Sequence, residues 1–181
     1  MHIIFLGLPG SGKGVQTRKL QEHGFIHLST GEVLRALVDS NTPFAAHVQN
    51  LMNEGKLIPD DTVNQVVFDF CSNHPDHSFL FDGYPRTIEQ AKVLHDAPYP
   101  VSHVFYLHIS AETARKRMIT RNEEEGERED TNTEEKIKER IDTFFAQTQH
   151  LVDYYQELGL LRRIDGEQSK DDVASQIASF L

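Results

Sequence analysis

Cysteine is nearly absent: Cys71 is the only one in 181 residues. A single thiol excludes an internal disulfide, and it excludes structural zinc sites built on four cysteines or on three cysteines and a histidine. Nothing in this usage asks for an oxidising compartment. Basic residues are also scarce. Lysine and arginine total 18 against 28 aspartates and glutamates, a formal net charge of -10. Proteins that hold a nucleic-acid backbone carry broad basic stripes, so no nucleic acid is expected as a partner. Small phosphorylated ligands survive that exclusion, because they need only a local group of arginines. Arg115, Arg117, Arg121, Arg128 and Arg140 supply one such stretch. Long apolar runs are missing as well. The N-terminal MHIIFLGLPGSGKG loses its apolar character at the glycines and carries no basic leader. Neither a secretory signal nor a membrane span is expected, and no membrane partner.

What is present alternates. The length and a hydrophobic content of 38% suffice for one substantial core, and no repeat, low-complexity segment or long linker divides it. Short apolar runs at 2–6 (HIIFL), 25–28 (FIHL), 79–82 (FLFD), 101–109 (VSHVFYLHI) and 160–164 (LLRRI) read as strands. Helical stretches separate them. One runs from Lys13 to about Glu22; others follow Thr42-Pro43, Asp60, Thr87 and Ser110; a long amphipathic one ends at Gly159, and Ser169-x-x-Asp172 opens the last. Strands spaced by helices predict an α/β fold, a parallel sheet of five strands covered by helices on both faces. Two segments exceed that scheme. Residues 31–72 hold more helix than one crossover requires, and the polar stretch NEEEGEREDTNTEE at 122–135 is unfit for a core.

The strongest local pattern is GLPGSGKG, Gly7 to Gly14, placed after an apolar strand and before a helix. It meets the G-x-x-x-x-G-K pattern of a phosphate loop in its strand-loop-helix setting. Glycines there let successive N–H groups turn toward an anion, the helix N-terminus adds partial positive charge, and Lys13 is placed to reach the terminal phosphates. The residue after the lysine is Gly14 and the next is Val15, so neither supplies the hydroxyl that usually meets the metal. Asp82 closes a buried strand at the end where such sheets bind ligands. It is a candidate to hold Mg2+ through water, with a turn or cap aspartate as the plain alternative.

These stretches together resemble the adenylate kinase family in its short-lid form, from about Ile3 to Leu181. GLPGSGKGVQ matches that family's phosphate loop, glycine after lysine included. LSTGEVLR at 28–35 resembles its acceptor-binding segment, and EGKLIPD at 54–60 its adenine-lining strip. FLFDGYPRTIEQA at 79–91 is the most distinctive match. The resemblance implies a P-loop NTPase-type domain with a core of residues 1–29, 60–121 and 134–181, a helical segment at 30–59 for the nucleoside monophosphate, and a short lid at 122–133. It implies ATP contacts at Gly10, Ser11, Gly12, Lys13, Gly14, Val15, Arg121 and, weakly, Gln168. AMP would be met by Thr30, Gly31, Arg35, Lys56, Leu57, Ile58, Gly83, Tyr84, Pro85, Arg86, Gln90, Arg128 and Arg140. Lys13, Arg86, Arg121, Arg128 and Arg140 would be catalytic, with Mg2+ as cofactor and no zinc.

The implied reaction is reversible transfer from ATP to AMP giving two ADP, in a cytoplasmic monomer. Its acceptor atom is a phosphate oxygen, already ionised at neutral pH, so no general base is needed. The sequence offers none: no Ser-His-Asp arrangement, paired carboxylates or histidine metal cluster stands out, and the ten histidines read as surface or packing residues. Two features depart from the family. Val15 stands where threonine is usual, and GEREDTN replaces the common G-R-x-D-D of the lid, so Arg128 aligns only with a small insertion. Alternatives are a kinase for UMP, CMP or another nucleoside monophosphate, and a weakly active nucleotide-binding module. Thr30 favours AMP over UMP and CMP, whose kinases tend to carry alanine there. A GTPase lacks its base-reading N-K-x-D pattern here, and a kinase of the shikimate type has no use for Thr30, Arg35 and Gln90 together.

Overall fold

The computed structural model describes residues 1–38, 42–53, 58–125 and 133–181. Their five strands are β1 (His2–Leu6), β2 (Phe25–Ser29), β3 (Ser78–Asp82), β4 (Val101–His108) and β5 (Leu161–Asp165). They form one parallel sheet in the order β2-β3-β1-β4-β5. The five apolar runs of the sequence are these strands, with ends displaced by no more than one residue. The helices are α1 (Lys13–Gln21), α2 (Thr30–Val38), α3 (Pro43–Asn53), α4 (Asp60–Ser72), α5 (Ile88–Asp96), α6 (Ala111–Glu125), α7 (Glu134–Glu157) and α8 (Lys170–Ala178). None of the described helices is long and apolar enough to cross a membrane.

Side chains alternate across a strand, and both faces of this sheet are apolar. Ile3 and Phe5 of β1, Leu80, Phe105, Leu107 and Ile164 face Leu20 of α1 and Val173 and Ile177 of α8. Ile4 and Leu6, with Phe79, Phe81, Val104 and Tyr106, face α4 to α7 through Val67, Ala91, Met118, Ile141 and Leu151. Burying one such side chain contributes about 1.5–3 kcal/mol, so the strands are the rigid base from which the site's loops project. A smaller cluster stands apart. Leu34 of α2 and Val48 of α3 pack on Val66 of α4, with Ile58 bridging to the main core. The extra helices of the sequence therefore carry a core of their own.

Local hydrogen bonds fix the helix ends. Thr87, Thr133 and Ser169 each accept an N–H from the first turn of α5, α7 and α8. At Ser169 a reciprocal capping box is half made. Asp172 takes the Ser169 hydroxyl at 2.6 Å, in place of reaching back to the backbone as the longer Glu does. Helix α7 stops as its glycine predicts, with Leu160 N–H on the Tyr155 carbonyl and Gly159 N–H on that of Gln156.

His2 closes a gap in the ladder. Its Nδ1 accepts the Phe79 N–H at 3.2 Å, and its ring stacks on Phe79. Burial, followed by the nearby N-terminal charge, pushes its pKa down to about 4. A native pKa below the unfolded value means stability that is complete above pH 6.5 and is lost as pH falls toward 4. Urea unfolding of wild type and His2→Gln should show it. The wild type is expected to lose stability relative to the variant across that window, because Gln accepts the same N–H without titrating.

Candidate active site

Strand β1 lies inside the sheet, flanked by β3 and β4, and the chain leaves its C-terminal end into the phosphate loop. Besides Gly7, two loop glycines have backbones that other residues avoid. Gly10 sits at φ 83°, and a Cβ there would lie 2.9 Å from the Ala114 carbonyl of α6. Gly12, at φ 97°, is the N-cap of α1 and has open space around it. The first turn of α1, from Lys13 and Gly14, thus starts at the loop with N–H groups that have no i-4 partner. Ser11 is 2% exposed and its hydroxyl is unsatisfied among the described residues. Val15 is half-buried on α1.

Lys13 folds back across this loop. Its Nζ donates to the Gly7 carbonyl at 2.6 Å and to that of Leu8 at 3.0 Å. Burial is the main cause that pushes its pKa down to about 8; Asp82 opposes the shift, and Arg140 and Arg86 add to it. Three groups named from sequence thus share the field of one ammonium. Asp82, at the end of β3, is drawn up by burial but held below the ordinary carboxylate range by the His27 hydrogen bond and by Lys13, His27 and Arg86. His27 Nε2 lies 3.2 Å from Asp82 Oδ2. Thr30, 3% exposed at the start of α2, donates its hydroxyl to the Asp82 carbonyl at 3.4 Å. Arg86 is exposed and donates from Nε to Gly83 at 3.0 Å. Gly31 lies beside Thr30 on α2, and Arg140 is half-buried on α7.

Next to these, Gln90 is only 4% exposed. Its Oε1 accepts the Arg86 N–H at 2.7 Å and its Nε2 donates to Asp60 Oδ1 at 2.7 Å. Tyr84 turns into the core, with its hydroxyl donating to Asn64 at 2.6 Å, and Pro85 is buried beside it. Any contact Tyr84 makes with a ligand is left to its main chain. Ile58 is half-buried between the two apolar clusters. On the other side of the loop, Arg117 of α6 donates to the Gly166 carbonyl at 2.9 Å, and Glu167 accepts the Ser110 N–H at 2.8 Å. These pin the 165–169 loop to the start of α6. Gln168 is exposed and occupied within its own neighbourhood by Asp165 and Gln176. Arg121 is half-buried on α6, and Arg115, of the same group of arginines, is exposed and pairs with Glu134 of α7. Lys56, Leu57 and Arg128 lie outside the described residues, as does the side chain of Arg35.

Sequence reasoning missed His27 and Asp60. One passed for a packing histidine and the other for a helix start. For His27 the missing signal is strand pairing: β2 beside β3 places Ser29 opposite Asp82, which puts His27 within reach of the carboxylate. Asp60 needed the meeting of α4 and α5. Among the described residues no group of three or more His, Cys, Asp or Glu could cage a metal. Magnesium fits such a place. It keeps several waters and is shared with substrate phosphates, so one ionised carboxylate beside a phosphate loop suffices. Asp82 is the ionised carboxylate that stands beside this loop.

The sheet order, the loop at the end of β1 and the half-buried lysine at its mouth define a domain of the P-loop NTPase class. A sequence profile described as adenylate kinase matches residues 5–160. The chain is 36% identical over 182 residues to adenylate kinase isoenzyme 1 of Gallus gallus, covering 99% of this chain and 93% of that protein. It is 37% identical over 184 residues to the adenylate kinase of Prochlorococcus marinus (strain MIT 9211), covering 99% and 96%. With the isoenzyme 1 of Homo sapiens the identity is 34% over 182 residues. The chain belongs to the adenylate kinase family, and it is an enzyme with nucleoside monophosphate kinase activity.

The two glycines make a paired test of the loop. Gly12→Ala meets only the cost of a left-handed backbone, about 1–2 kcal/mol. Gly10→Ala adds a contact with the α6 carbonyl, for about 2–5 kcal/mol in all. Urea unfolding should rank the variants in that order of loss.

Proposed function

We propose that the enzyme transfers the terminal phosphoryl group of Mg-ATP to AMP, reversibly, giving two ADP. The observation that carries it is the convergence of Lys13, Asp82, Arg86 and Arg140 at the mouth of the phosphate loop. Two arginines and one carboxylate around a lysine ammonium, on the rim of a loop built for phosphate, suit two phosphorylated substrates meeting end to end.

In this proposal Gly10 to Val15 and Lys13 hold the β,γ end of ATP, with Lys13 exchanging its two loop carbonyls for phosphate oxygens. Asp82 orients the water shell of Mg2+, which when bound neutralises charge on the β- and γ-phosphates. His27 keeps Asp82 ionised and aimed. Arg35 and Arg86 fix the acceptor phosphate in line, and Arg121, Arg128 and Arg140 offset the charge that spreads as the group crosses. Guanidinium suits this work because its planar fork meets phosphate oxygens in pairs. No side chain has to remove a proton from the acceptor. Catalysis is positioning plus electrostatics.

The rest of the acceptor site comprises Thr30, Gly31, Lys56, Leu57, Ile58, the main chain from Gly83 to Pro85, and Gln90, which faces the base. Arg117 and the 165–169 loop with Gln168 lie toward the ATP base. Segments 30–59 and 122–133 close over the two nucleotides and keep water from competing as acceptor. The separate apolar cluster of α2 and α3 on α4 supports treating the first as a unit. A cytoplasmic monomer completes the proposal.

The test is ADP production from Mg-ATP with AMP, CMP, UMP, GMP or no acceptor. Two ADP per turnover with AMP alone are expected, with kcat/KM reduced about 100-fold or more in Lys13→Ala and Arg86→Ala. Binding of Mg-ATP without transfer to any acceptor would contradict the proposal and favour a nucleotide-binding module weakened at Val15 or the lid. Transfer to CMP or UMP in preference to AMP would reassign the acceptor.

A further inference from the structure

We propose that Asp60, which need not touch a substrate, is a positioning residue that sets which way round the Gln90 carboxamide faces, and so selects an acceptor with adenine's base edge. The inference rests on the proposed role of Gln90 toward the acceptor base. A carboxamide turned by 180° has nearly the same shape but exchanges its donor for its acceptor. A site that reads a base through one glutamine therefore discriminates only if something prevents the turn.

Two anchors of opposite kind surround Gln90. The Arg86 N–H can only donate, and it meets Oε1 at 2.7 Å. The Asp60 carboxylate can only accept, and Oδ1 meets Nε2 at 2.7 Å. Turning the amide would set N–H against N–H at Arg86 and oxygen against oxygen at Asp60. Asp60 is itself held. Its Oδ2 accepts the Thr87 hydroxyl at 2.7 Å, and that hydroxyl oxygen accepts the Gln90 N–H at 3.1 Å. Asp60 opens α4 while Thr87 and Gln90 open α5, so the Asp60 and Thr87 side chains form a closed set with Gln90, which joins it through both its carboxamide and its backbone N–H.

Each anchor uses half of the amide. Gln90 keeps one N–H and one lone pair, in a fixed order. Adenine presents an acceptor at N1 beside a donor at N6, which matches that order. Hypoxanthine presents a donor at N1 beside an acceptor at O6, which matches only the turned amide. The negative charge of Asp60 thus acts on base choice through Gln90. A purely structural Asp60 would join α4 to α5 and leave base choice alone.

The experiment compares kcat/KM for AMP and for inosine monophosphate in wild type, Asp60→Asn and Gln90→Leu. Asparagine keeps the shape of Asp60 but can turn with its partner, so one of the two mismatches disappears. The AMP preference is expected to fall about tenfold, the effect of one hydrogen bond, while kcat with AMP stays near wild type. Equal losses on both substrates in Asp60→Asn, with the preference unchanged, would overturn the inference. If the preference falls in Gln90→Leu alone, Gln90 reads the base and only the role of Asp60 fails. If Gln90→Leu leaves it unchanged, the base-reading role fails and the inference with it. Should Asp60→Asn not fold, side-chain amide NMR of the free wild-type enzyme decides. A Gln90 amide proton protected from water exchange is expected, and free exchange of both protons would overturn the inference.

Discussion

A lysine ammonium at the mouth of a phosphate loop is the constraint around which this molecule is arranged. Lys13 is charged in a place that disfavours charge, near two arginines, and among the described residues its hydrogen bonds go to two carbonyls of its own loop. A cation so placed remains close to losing its proton at neutral pH and gains most from an arriving anion. Asp82 moderates the excess of positive charge, and His27 in turn keeps Asp82 ionised. The sheet supplies what these charges cannot supply for themselves, a base that does not yield. Phe81 precedes Asp82 and Leu6 precedes the loop, both buried in the larger core.

The fold was legible because each strand is an apolar run bounded by recognisable helix signals, and because both faces of a parallel sheet are covered. Periodicity does not depend on knowing which strands pair. The loop was legible for a related reason, since its glycines and lysine act within eight consecutive residues. His27 and Asp60 act through partners 55 and 30 residues away. Only the order β2-β3 and the meeting of α4 with α5 make neighbours of them. Sequence spacing carries local chemistry well and carries contacts between separate elements hardly at all.

The residues read from family resemblance sort by a similar rule. Those in the loop and at the end of β3 gather around one charge. Gln168 is instead engaged by its own loop, and Tyr84 by Asn64 in the core. Arg117, first noted only as one of a group of arginines, holds the 165–169 loop through Gly166. Motif position alone does not say whether a side chain faces a ligand or the protein, because the same stretch of chain contributes to both.

The most direct test of this account is the pKa of Lys13 itself, followed by 13C NMR of labelled lysine in the free enzyme and with Mg-ATP. The account predicts a value near 8 in the free enzyme, rising toward the ordinary lysine range when the triphosphate replaces the Gly7 and Leu8 carbonyls as partner. An ordinary value near 10.5 in the free enzyme, unchanged by nucleotide, would contradict it.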